Sequence, residues 1–201
     1  MSEPQTPRAP GRPRSEATRT AILDTAADLL EGETYNRISI ERIAAEAKVG
    51  KQSIYRWWDS KADVLLEAYT ERALKRLPAQ PRTDNAFADL EALLRSFFAI
   101  TRIPAVRKTI RSLIAEAQLD PEFRAKFYGV FVSTRRAMIR ESISRGIAAG
   151  QFRTDLDVEV LIDLIYGAFW YRLLSGTVDD IDDAFARGLV ATLRPGMAAR
   201  P

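Results

Sequence analysis

The 201-residue sequence predicts an all-α protein of about nine helices, with a three-helix unit near the N-terminus and a larger helical domain behind it. Three observations carry this reading. Apolar residues recur at spacings of three and four through most of the chain, as amphipathic helices require. Pro104 and Pro121 stand at expected helix starts, and Gly150 and Gly176 at expected ends. No segment alternates apolar and polar residues as a half-buried strand does.

Residues 1–15 (MSEPQTPRAPGRPRS) hold four prolines and three arginines and little to bury, so a flexible basic arm is expected there. From Arg19 onward, Ile22, Leu23, Ala26, Ala27, Leu29 and Leu30 form one stripe, and Glu31-Gly32-Glu33 closes that helix. Ser39 is placed to cap a second, short helix with Ile40, Ile43, Ala44 and Ala47 on one face. Lys48-Val49-Gly50 interrupts it, and a third short segment over 51–57 turns Ile54 inward. Ser60 or Asp59 caps a fourth helix, striped by Val64, Leu65, Ala68 and Tyr69. The run PAQPRTDN over 78–85 reads as a loop. The expected division is therefore 16–62 for the three-helix unit, 63–84 for a connecting helix and loop, and 85–201 for the remainder. Five helices are expected in that remainder, over 86–101, 105–118, 121–149, 157–175 and 178–193, the last capped by Thr177.

Composition narrows the function. The chain is 46% apolar and 28% charged, ordinary for a globular protein and long enough to bury a sizeable core. It has no cysteine, which removes disulfides and thiolate metal sites, and no histidine, the commonest general base. No catalytic residue, metal or cofactor is expected. The first residues are polar and unlike a signal peptide. The most apolar stretch, 160–174, contains Asp163 and Arg172 and is shorter than the roughly 20 residues a spanning helix needs. A cytoplasmic protein without a membrane partner is the expectation. A net charge of +3 points weakly toward an anionic partner.

Two short helices joined by a tight turn, behind a third helix, have the layout of a helix-turn-helix. A helix fits the major groove of B-DNA, and the helix before it props it there. That spacing by itself also suits any small helical core. The residues say more: Ser39-Ile40-Glu41-Arg42-Ile43-Ala44, then Val49-Gly50-Lys51-Gln52-Ser53-Ile54-Tyr55, then Trp58, Lys61 and Leu65. Over residues 16–66 this set resembles the DNA-binding domain of the tetracycline-repressor (TetR) family, and the remainder resembles that family's regulatory domain in layout. The resemblance implies three partners: a double-stranded DNA operator, a second copy of the chain joined through the last two helices, and a small-molecule effector. Paired reading heads would then meet successive major grooves of a near-palindrome.

The recognition helix is expected to begin near Gly50, which puts Lys51, Gln52 and Ser53 on its first turn. Lysine donates to guanine O6 or N7, and glutamine pairs bidentately with adenine. Tyr55 matches the tyrosine that in this family meets the DNA backbone; a half-buried aromatic cap on the small core is the other reading. Lys61, at the start of the fourth helix, is placed to hold a phosphate together with free backbone N–H groups, and Ser39 to do so at the second helix. Arg42 and Arg56 read equally as backbone contacts or as solvated charges. Three positions depart from the family pattern. Lys48 stands where the turn usually has glycine, and a positive φ there costs on the order of 1 kcal/mol. Gly50 replaces a serine cap, at a cost of about a few tenths of a kcal/mol. Trp57 and Trp58 replace histidine and phenylalanine; Trp58 is expected in the core, while Trp57 either leans toward a phosphate or covers the domain junction.

Through residue 60, nine basic residues are matched by nine acidic ones, so a modest salt dependence of DNA binding is expected. In the arm, Pro10-Gly11-Arg12-Pro13-Arg14 resembles an AT-hook core, with Arg12 and Arg14 suited to a narrow minor groove; a solvated tail is equally open.

The helix over 157–175 is apolar nearly all round and must be covered on more than one side, by the domain core and by a partner subunit. Phe97, Phe98, Phe127, Phe131, Tyr166 and Trp170, with Tyr128 and Met138, either line an effector cavity or form plain core. Arg102 or Arg111 would give such a cavity a cationic handle. The acidic cluster Asp179, Asp180, Asp182 and Asp183 resembles a metal site, but helix-dipole placement explains it better. A helical protein-binding adaptor without sequence-specific DNA binding is the competing reading; it leaves Lys51, Gln52, Tyr55 and Lys61 without a reason.

Overall fold

The protein is described by a computed structural model over residues 16–176 and 181–199. The arm with Arg12 and Arg14, the expected cap Thr177, and Asp179 and Asp180 lie outside the described residues.

Helix α1 (Glu16–Gly32) buries the expected stripe, with Ile22 and Ala26 fully enclosed, and packs along α4 (Lys61–Lys75). Arginines clip the two together. Arg19 pairs with Glu67 and Glu71, and Arg72 reaches Asp28 at 2.5 Å. Between them, a single 3-10 turn (Tyr35–Arg37) leads into α2 (Ile40–Glu46) and then α3 (Lys51–Tyr55). Ile38, Ile43, Ile54 and Val64 close the small core from four directions.

The larger half is built around α5 (Ala86–Thr101), whose Leu90 and Leu94 are fully buried. Asn85 caps it, its Oδ1 accepting the Ala88 N–H at 3.0 Å. Next comes α6 (Pro104–Leu119), which opens on a proline as the sequence predicts. The long helix expected over 121–149 is a single rod with a defect: α7 (Pro121–Phe127), a π turn over Tyr128–Val132, and α8 (Ser133–Ala148). Then follow α9 (Val158–Ser175), closed by the left-handed Gly176 at φ 91°, and α10 (Asp183–Met197). With α7 and α8 taken as one rod, the described residues hold nine helices and one isolated bridge, between Phe152 and Ala198.

The last helix differs from expectation at both ends. It starts at Asp183 rather than near residue 178, because Asp182 takes the cap and accepts the Phe185 N–H at 2.7 Å. Ile181, just ahead, is fully buried and anchors the entry. The helix also runs past Leu193 to Met197, with Pro195 in its last turn. The tail is held there by Arg153 N–H on the Met197 carbonyl and Ala199 N–H on the Gln151 carbonyl, both 2.9 Å.

Candidate nucleic-acid interface and apolar cavity

The turn before α3 is set by backbone chemistry. Val49 N–H bonds the Ala44 carbonyl at 2.9 Å and Lys48 N–H the Ala45 carbonyl at 3.2 Å, the pair that ends a helix in a Schellman motif. That motif needs a left-handed residue at its corner, and Lys48 supplies it at φ 54°. Gly50 then opens α3 from extended backbone with no side-chain cap. Ile54 and Trp58 anchor α3 to the core, and the Trp58 indole N–H donates to Glu67 at 2.5 Å.

This anchoring leaves one face of α3 outward. Lys51, Gln52 and Arg56 are exposed, Ser53 is partly so, and Tyr55 is 52% exposed rather than folded onto the core. Two of the cations on this surface are already engaged. Lys51 Nζ lies 3.1 Å from Glu41, and Arg42 pairs with Glu33 at 2.5 Å and Glu46 at 2.9 Å. The Glu41 backbone N–H, and after it Lys51, hold the Glu41 carboxyl below the usual carboxylate range. Ser39 caps α2, its Oγ accepting the Arg42 N–H at 3.2 Å.

Lys61 sits differently from its expected place on the DNA side. Its Nζ donates to the Tyr35 carbonyl at 3.2 Å and lies 4.0 Å from the Tyr35 ring centroid, and burial lowers its pKa. Ser60 Oγ has also taken a free N–H of α4, that of Asp63. Trp57 is partly buried, with the Arg19 guanidinium 5.9 Å from its ring.

In the larger half, helices α4, α5, α6, α8 and α9 enclose an apolar cavity. Its volume is only about 30 Å3, a set of narrow gaps between rings rather than one open chamber. Phe97, Phe98, Phe131, Tyr166 and Trp170 line it, as expected of them. Phe127 does not: it is buried one turn earlier on the rod, stacked between Phe123 and Phe131. Arg102 does not either. It points outward to Asp183 at 3.7 Å, on the surface where α5 meets α10. Arg111 is exposed. The cation that does line the cavity is Arg135, on α8. The sequence carried a signal for it: Arg135 falls four residues after Phe131 and four before Ile139, on the buried stripe of the rod.

Helix α6 links the cavity to the three-helix unit. Val106 and Ile110 of α6 line the cavity, and so does Tyr69 of α4. From the same helix α6, Thr109 donates to the Leu30 carbonyl at 2.7 Å, Lys108 donates to the Gly32 carbonyl at 2.9 Å, and Ser112 Oγ accepts the Tyr35 N–H at 3.1 Å. A second tie is Lys126 of α7 on Asp63 of α4 at 2.9 Å.

Asp182 and Asp183 are accounted for by the helix cap and by ion pairs with Arg95 and Arg102. Among the described residues, no helix is long and apolar enough to cross a membrane.

Comparison with known proteins agrees with this geometry. Residues 22–68 match the family described as bacterial regulatory proteins, tetR family, and residues 80–193 match the tetracyclin repressor-like C-terminal domain. The chain is 38% identical over 191 residues to the HTH-type transcriptional regulator YdeS of Bacillus subtilis (strain 168), covering 94% of each chain. It is 26% identical over 191 residues to the DNA-binding transcriptional repressor TetR of Mycobacteroides abscessus, covering 91% of this chain and 97% of that one. The crystal structure of the TetR family transcription regulator SCO0332 superimposes with a TM-score of 0.76 at 33% identity, over 92% of this chain and 99% of that one. An exposed recognition-helix face on a conventional three-helix head, joined to matching regulatory helices, thus has one consistent explanation: the chain belongs to the TetR family of DNA-binding transcriptional regulators.

Proposed function

We propose that this regulator is a repressor, bound as a homodimer to a near-palindromic operator and released by a small molecule that enters the apolar cavity. In this reading, residues 16–62 form the reading head, 63–84 the connecting helix and loop, and 85–201 the ligand-binding and dimerisation part. Lys51, Gln52 and Ser53 reach base edges; Tyr55, Arg42 and Arg56 meet the backbone. Lys61 reaches a phosphate only by leaving the Tyr35 carbonyl, so its contribution is the smallest of the set. Arg12 and Arg14 of the arm are assigned to the minor groove.

The observation that carries the release mechanism is the double duty of α6. It lines the cavity with Val106 and Ile110, holds the C-terminal end of α1 through Thr109 and Lys108, and holds the 3-10 turn at Tyr35 through Ser112. The cavity is too finely divided to take a ligand without spreading its walls. An occupant that moves α6 therefore moves the head and changes the spacing between the two reading heads. Such a ligand works only through differential affinity: lowering operator affinity about 100-fold requires it to favour the released state by about 2.8 kcal/mol.

The dimer reading is supported by α9. Leu161, Ile162, Ile165, Phe169 and Leu173 face the core, while Val160, Leu164, Tyr171 and Leu174 form an exposed apolar stripe at intervals of four, seven and three. That spacing suits a helix-bundle seam. On α10, Ala184, Gly188, Ala191 and Thr192 present an exposed face of small residues.

The test is selection of the purified protein against fragments of its own genome at near-physiological salt, followed by sequencing. Enrichment of a short inverted repeat is expected. A folded, dimeric protein that enriches single half-sites or no sequence at all overturns the reading.

A further inference from the structure

Arg135 occupies a position that ordinarily takes an apolar side chain. It lies on the inner stripe of the rod and is only 8% exposed. Its guanidinium carbon stands 3.7 Å from the Phe131 ring centroid, a cation–π contact that faces the charge but uses none of its N–H donors in the plane. Nη1 is buried with no hydrogen-bond partner, and no carboxylate pairs with Arg135 among the described residues. Carboxylates do reach this part of the rod. The next residue, Arg136, faces the other way and takes both Glu159 (2.6 Å) and Asp163 (2.5 Å) from α9.

A second polar group lines the same cavity without a partner. The Tyr166 hydroxyl is buried and makes no hydrogen bond. Thr101, the cavity's remaining hydroxyl besides Tyr69, is satisfied by the Phe98 carbonyl at 2.7 Å. Leaving a charged donor and a hydroxyl unmatched inside an aromatic cavity is costly, and evolved interiors seldom do it without use. The π turn immediately before Arg135 fits a functional reading, since such defects gather at sites where a helix must present side chains out of its regular register.

We propose that Arg135 and Tyr166 form the anion-binding end of the cavity and that its ligand is an amphipathic monocarboxylate. The carboxylate accepts hydrogen bonds from the Arg135 guanidinium and the Tyr166 O–H, while the apolar body lies among Phe97, Phe98, Phe169 and Trp170. One cation among the lining residues favours one negative charge. A dianionic phosphate would retain an uncompensated charge in a low-dielectric space, and an amine would face Arg135. This assignment rests on reading the cavity as the effector site and names what that site takes.

The experiment is calorimetric titration of the full-length protein with matched pairs: octanoate with octan-1-ol, 4-phenylbutyrate with 4-phenylbutan-1-ol, and octylamine as the cationic control. Wild type is expected to bind at least one acid about 10- to 100-fold more tightly than its alcohol, the range of a charge-assisted hydrogen bond, and to bind octylamine least. Arg135→Met abolishes the acid–alcohol preference without weakening the alcohol. Tyr166→Phe, the variant that decides if Arg135→Met fails to fold, weakens the acid several-fold more than the alcohol. In the ligand-free state Arg135→Met melts higher than wild type, because an unmatched buried charge has been removed; a purely structural arginine would make it melt lower.

The proposal is overturned if neither acid binds, if acid and alcohol bind alike, or if both variants keep the acid preference. Operator release, measured separately, distinguishes the two readings. An acid that binds through Arg135 without releasing DNA leaves the ligand assignment standing and refutes the release mechanism. An alcohol that binds and releases DNA where its acid does neither gives the reverse.

Discussion

At the scale of single residues, the reading head shows which features a sequence can reveal. Ser39 as a cap depends on neighbours within a few positions, so it was legible from the residues themselves. Lys48 as a strained corner and Trp58 in the core were legible through the family resemblance, which puts glycine and phenylalanine there. Lys61 and Arg102 were not, because what holds them comes from far along the chain: Tyr35 in one case, Asp183 in the other. Arg135 was readable as a charge on an apolar stripe, but its lack of a carboxylate partner emerges only from the packing of α8 against α9. Lys48 gives the clearest residue-scale prediction. Glycine tolerates φ 54° without a Cβ clash, although it loses more entropy on folding. Lys48→Gly is therefore expected to stabilise the head by about 0.5–1 kcal/mol, read as a higher denaturation midpoint with unchanged slope. An equal or lower midpoint contradicts the strained-corner account.

At the scale of elements, boundaries followed from caps and prolines wherever the signal was local. Pro104, Pro121, Asn85 and Asp157 each begin or cap the helix that the pattern indicated. The π turn in the rod was not legible, because the spacing of four that it carries, from Phe127 to Phe131 to Arg135, is one that an unbroken α-helix also shows. The start of α10 was misplaced because Thr177 suits a cap as well as Asp182 does, and only the burial of Ile181 favours the later one. The end of α8 depends on Gly146. A Cβ there would lie 2.3 Å from the ring of Phe152, which is itself buried and packed edge-on to Phe87 at 4.7 Å. Gly146→Ala is expected to cost about 1–3 kcal/mol through overpacking, measured by chemical denaturation. A neutral or stabilising effect would mean that Phe152 has room to move and does not fix the junction between α8 and the C-terminal tail.

At the scale of the whole molecule, the fold separates the three-helix head from the helices around the cavity and joins them through few parts. The head's own carboxylates, Glu33, Glu41 and Glu46, already neutralise Arg42 and Lys51, so the interface is not a strongly basic surface. That favours base readout over nonspecific attraction and a shallow salt dependence. Assembly is the remaining requirement, since one head on one half-site reads too little sequence. The exposed stripe on α9 predicts that Leu164→Arg, at the middle of the seam, yields a folded monomer by sedimentation equilibrium and loses cooperative operator binding. A dimer that survives this substitution places the interface elsewhere.

Whether α3 reads DNA is decided by the operator affinity of Lys51→Ala and Tyr55→Ala, measured by fluorescence anisotropy on the selected inverted repeat. Both side chains are exposed, so both variants are expected to remain folded and dimeric. About a 10-fold or greater loss is expected for each. Lys51→Ala also relaxes preference at one base position, and Tyr55→Ala weakens all sequences alike. Unchanged affinity in both variants would contradict the account and place the DNA-reading surface outside α3.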